Sequence, residues 1–69
     1  MIELTRINGS KFVLNPFQIE FAEEAGDTVI LLNSGRKMLV KEKVLDIQKK
    51  FADFLSIAIQ QGLIKVKDN

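Results

Sequence analysis

The hydrophobic period of this sequence changes once, near Glu42, and no other feature constrains the fold as strongly. Before that point apolar residues alternate with polar ones, or run together between turn signals, as strands do. Beyond it Val44, Ile47, Phe51, Phe54, Leu55 and Ala58 recur at helical spacing and form one apolar stripe. Asp46, Lys49, Lys50 and Asp53 fall off the stripe, and Gly62 suits a helix C-cap. The expected fold is α+β: a small antiparallel β meander of about five strands across residues 2–40, then one C-terminal amphipathic helix across about 42–61. The short tail, 62–69, adds a strand or trails free, and residues 1–69 are expected to form a single domain.

Two turn signatures set the strand registers. A two-residue turn centred on Asn8-Gly9 puts Glu3 and Thr5 on the same face as Phe12 and Leu14. A three-residue loop, Ile7-Asn8-Gly9 with Gly9 left-handed, instead groups Ile2, Leu4, Phe12 and Leu14 on one face. Glu3, Thr5, Lys11 and Val13 then share the other, and this cleaner segregation favours the three-residue loop. Asn15-Pro16 ends the second strand, because proline has no N–H for the ladder. Next, Phe17, Ile19 and Phe21 alternate with Gln18, Glu20 and Ala22, and Glu23–Asp27 reads as a turn. Gly35 to Val40 (GRKMLV) echoes Gly9 to Leu14 (GSKFVL), so the same loop is expected at Asn33-Ser34-Gly35.

That register raises a question of coverage. Val29, Ile30, Leu31 and Leu32 are apolar without a break, so their strand is apolar on both sides. Ile30, Leu32, Met38 and Val40 share one face, and Val29, Leu31, Lys37 and Leu39 share the other. One helix covers one face of a small sheet, and the pattern leaves open which. The remaining face is expected to meet another chain. Its candidate partner-binding residues are Val13, Val29, Leu31 and Leu39, joined by Ile57 and Ile59 from the late helix, where the stripe widens. A chain of 69 residues without cysteine has no disulfide to support a small core, so homo-oligomerisation or a protein partner is the expected support.

The absence of histidine and cysteine excludes imidazole and thiolate metal sites and any Ser–His–Asp or Cys–His apparatus. Glu23, Glu24 and Asp27 lack the spacing of a calcium loop and read as a polar turn. Glu20 and Glu23 come nearest to an acid–base pair, but exposed strand acids account for them. Turns explain Gly9, Gly26 and Gly35, and no GxGxxG or P-loop occurs. The five phenylalanines lie on apolar stripes, which favours core over base stacking. No enzymatic activity, cofactor or metal is expected. The net charge is +1, and Lys41, Lys43, Lys49 and Lys50 all have acidic neighbours, as on solvated faces rather than a nucleic-acid footprint. The start MIELTRING lacks a signal-peptide pattern and no apolar run nears the roughly 20 residues of a membrane span, so the expected location is cytoplasmic.

Three blocks of the sequence resemble the FlbD/SwrD family of small flagellar proteins. Leu4, Thr5, Arg6, Asn8 and Gly9 match an opening block of the form IxLTRxNG. Phe12, Leu14 and Asn15 match a second, FxLN, and Asp27 to Ile30, Gly35, Lys37 and Val40 to Glu42 match a third, DTVIxLxNGxKxxVKES. The blocks span about residues 1–55, and their order and spacing carry the likeness. Asn33 stands one place earlier than the family's asparagine, and Lys43 replaces its serine, a helix cap worth about 1 kcal/mol. The resemblance implies a non-enzymatic motility protein, a protein–protein interaction module linked in swarming bacteria to motor power, with motor or stator components as partners. The start MIELTR also resembles the carbon-storage regulator, a small dimeric RNA-binding protein. That family's GxxAP-type segment, the arginine with it and a basic binding edge are missing here.

Overall fold

The computed structural model describes residues 1–62. The chain runs through β1 (Ile2–Thr5), β2 (Lys11–Leu14), a 3₁₀ turn (Pro16–Gln18), β3 (Ile19–Ala25), β4 (Asp27–Leu32), β5 (Lys37–Val40) and α1 (Val44–Gln60). The strands are antiparallel and form two sheets, β1–β2 and β3–β4–β5. The α+β class and the five strands agree with the sequence pattern.

Both long turns use one device. The Arg6 N–H donates to the Ser10 carbonyl (2.8 Å) and the Gly9 N–H to the Arg6 carbonyl (2.9 Å), closing a loop of Ile7, Asn8 and Gly9. In the second hairpin the Leu32 N–H donates to Arg36 and the Gly35 N–H to Leu32, each at 2.9 Å. Gly9 and Gly35 sit at φ +92° and +90°, where a side chain is strained. The registers follow: Ile2 faces Leu14, Leu4 faces Phe12, Ile30 faces Met38 and Thr28 faces Val40.

β3 departs from the sequence reading. Ile19 pairs with Leu32, but Phe21 pairs with Leu31, so the register shifts at Glu20. This bulge moves Phe21 to the face opposite Ile19 and brings Ala22, opposite Ile30, onto the core side. Glu23, Glu24 and Ala25 stay in the strand, and the turn narrows to Gly26. Upstream, Asn15 accepts from the Phe17 N–H (3.0 Å) and starts the 3₁₀ turn at the proline break. The Phe17 ring then meets Phe51 and Phe54 edge-on, at 5.5 and 5.8 Å.

The core comprises Ile2, Leu4, Ile30, Leu32, Val40 and Ile47, with Phe12, Leu14, Ile19, Ala22, Met38 and Phe54 half-buried around it. The Ile30 face of the sheet therefore takes the helix. Burial of each large aliphatic side chain contributes roughly 1.5–3 kcal/mol. The phenylalanines were expected in the core, yet Phe17 and Phe21 are about half exposed, at 49 % and 46 %. The 3₁₀ turn accounts for the first and the bulge for the second.

The two sheets join at the end of β1. Arg6 bridges to Val40, and the Lys41 N–H donates to the Thr5 carbonyl (2.9 Å). Glu42 completes the join: its carboxylate accepts from the Thr5 N–H and the Thr5 hydroxyl, both at 2.8 Å. Burial alone pushes the Glu42 carboxyl up. The Thr5 hydrogen bonds, its own backbone N–H and the Lys50 charge outweigh that and hold it below the usual carboxylate value. Lys43 precedes α1 without a side-chain cap, and the Glu24 carboxylate from β3 instead accepts from the Val44 N–H at 2.8 Å. An acid there also meets the positive end of the helix dipole. The expected helix, about 42–61, is observed as Val44–Gln60, and residues 63–69 lie outside those described.

Candidate functional site

The face of the three-stranded sheet turned away from the core is built from two cross-strand rows. One runs Phe21, Leu31, Lys37 and the other Glu23, Val29, Leu39. Four apolar side chains thus lie together, with one acid and one base at diagonal corners. Phe21 and Leu39 are 46 % and 50 % exposed, and Val29 and Leu31 are half-buried between them. Strand alternation fixes this: the side chains that fill the core from β4 leave Val29 and Leu31 pointing the other way.

The join between the sheets extends the patch. Because Arg6 bridges to Val40 in antiparallel register, Ile7 falls beside Leu39, and both line one shallow groove. Ile7 is 40 % exposed although it is a large aliphatic residue in a turn.

Of the six residues expected to bind a partner, Val29, Leu31 and Leu39 are brought together here. Val13 is exposed, but it lies on β2 opposite Glu3, with β1 between it and β5. Ile57 and Ile59 are exposed on α1, which packs on the core side, and they lie about 160° apart at about 100° per residue. They belong neither to the sheet patch nor to one surface of the helix. Phe21 and Ile7 are the members that the alternation pattern missed. No local signal marks the bulge that places Phe21, whereas an apolar residue inside a turn is itself a signal for Ile7.

A second apolar recess, about 380 Å³, lies between β3 and the helix and is lined by Ile19, Ala22, Ile47, Phe51 and Leu55 among others. It carries no charged group and no catalytic constellation. Among the described residues no three His, Cys, Asp or Glu side chains converge as metal ligands. No described helix is long and apolar enough to cross a membrane.

Comparison with curated proteins and with solved structures gave no match. A family model described as FlbD, flagellar and swarming motility proteins, matches residues 1–57. The match includes the MIELTR start, and nothing found supports the likeness of that start to the carbon-storage regulator. With more than four-fifths of its length matched, the chain belongs to the FlbD family of flagellar and swarming motility proteins.

Proposed function

We propose that this motility protein works as a non-enzymatic protein–protein interaction module at the cytoplasmic side of the flagellar motor, where motor or stator components are its partners. One observation carries the reading. Phe21, Val29, Leu31 and Leu39 form a contiguous apolar face on the side of the sheet that the helix does not cover. Covering such a face gives about 25 cal/mol per Å² before the costs of association. A second copy is a natural occupant, so self-association belongs to the same reading.

The test is capture from motile cells with the wild-type protein and with Leu31→Asp. A carboxylate in the middle of the patch is expected to abolish capture of flagellar components while circular dichroism stays native. Undiminished capture by the folded variant overturns the proposed surface. Light scattering that finds a monomer at high micromolar concentration removes the self-association part.

A further inference from the structure

The join between the sheets also sets the two glycine turns side by side. Arg6, Ile7 and Asn8 from the first and Arg36, Lys37, Met38 and Leu39 from the second line a groove of about 340 Å³. Its lining carries three cations and no carboxylate, and Ile7 and Leu39 supply apolar side chains, while the Met38 side chain turns to the core. Among the described residues, none of the three cations forms a salt bridge. Arg6 stacks on the Phe12 ring, 4.4 Å from its centroid, and donates to the Ser10 hydroxyl at 3.4 Å, which holds its guanidinium against the first hairpin. The groove formed by Glu42, Asp46, Lys49, Lys50 and Asp53 is different: its charges are mixed and offset one another.

We infer that the turn groove binds an acidic segment of a partner protein, one that carries at least one large apolar side chain. This rests on the docking reading above and names the chemistry of the partner at one end of the same face. Cations lining a shallow groove steer and orient a carboxylate-rich chain, and Ile7 and Leu39 hold the apolar residue between the acids. A peptide suits the site better than a nucleic acid, because phosphate binding has no use for Ile7 and Leu39, and the chain as a whole is only +1.

The experiment is a titration of the isotope-labelled full chain, followed by NMR. One probe is an eight-residue peptide alternating glutamate and leucine, and the other is its lysine–leucine counterpart. The acidic peptide is expected to shift Arg6 to Asn8 and Arg36 to Leu39. Its affinity is expected to fall about tenfold between low and physiological salt. Arg36→Glu, an exposed turn substitution, is expected to weaken binding at least about tenfold with a native spectrum. No binding at low salt, equal binding of the lysine peptide, or retained binding by Arg36→Glu overturns the inference. Tighter binding of a single-stranded RNA oligonucleotide, or of phosphatidylglycerol vesicles, lost in Arg36→Glu, assigns the groove to phosphates and also overturns it. Leu31→Asp separates the two proposals: it is expected to lose partner capture and keep the peptide. If the peptide fails while Leu31→Asp still abolishes capture, the groove falls and the docking face stands.

Discussion

The two faces of β4 are built from the same kinds of side chain and end in opposite environments. Thr28, Ile30 and Leu32 point inward and are buried at 2 %, 0 % and 7 % exposure. Val29 and Leu31 point outward, beside the half-exposed Phe21 and Leu39. Nothing in the hydrophobicity of Ile30 and Leu32 distinguishes them from Val29 and Leu31. The difference comes from their neighbours: β1 and α1 close over the first set through Leu4, Ile2 and Ile47, and no described residue closes over the second. A strand that is apolar on both faces is thus half core and half open surface.

The inner face of β4 gives the largest expected effect. Ile30→Ala leaves a cavity beside Leu4 and Val40 and is expected to cost about 3 kcal/mol in urea unfolding. In a chain this small, that is a large share of the total stability. A loss below about 1 kcal/mol would mean that the inner face is as loosely packed as the outer one.

The join that carries Ile7 to Leu39 gives a smaller effect. Glu42→Gln weakens the charge-assisted hydrogen bonds from Thr5 and is expected to cost about 1–2 kcal/mol near neutral pH. The sign of its pH dependence follows from the lowered folded value. The Glu42 contribution is complete above the ordinary value of 4.5 and is lost as the pH falls through the lower folded value. Thermal melts from neutral pH into that acid range should therefore fall more steeply for wild type than for Glu42→Gln. Parallel curves would show that Glu42 does not fasten the sheets.

The smallest stability effect concerns the helix start. Lys43→Ser restores the family's cap and is expected to stabilise by about 0.5–1 kcal/mol. The Glu24 carboxylate already serves the Val44 N–H, and a serine reaches the next donors, so the two caps add. A neutral result would show that Glu24 has taken over the whole function of the missing serine.

What the sequence made legible follows from how local its causes are. Both hairpin registers were readable because a left-handed glycine at the third loop position decides the pairing within a few residues. The helix was readable from its period. The move of Phe21 was not, because a bulge at Glu20 adds one residue without any local signature. The cap from Glu24 was not either, since it acts on Val44 across 20 positions. The choice of inner face depends on where α1 docks, and two equally apolar faces leave that undecided. The separation of Ile57 from Ile59 was open to simple helical geometry, and only grouping them by hydrophobicity hid it.

The proposed function requires the Leu39 side of the sheet to be an interface and the Ile30 side to be core. Its most direct measurement is urea unfolding of Leu39→Asp beside Ile30→Asp, with partner capture measured for each folded protein. Leu39→Asp is expected to unfold within about 0.5 kcal/mol of wild type and to lose its partner, whereas Ile30→Asp is expected not to fold. Unfolding of Leu39→Asp, or a folded Leu39→Asp that keeps its partner, would contradict it.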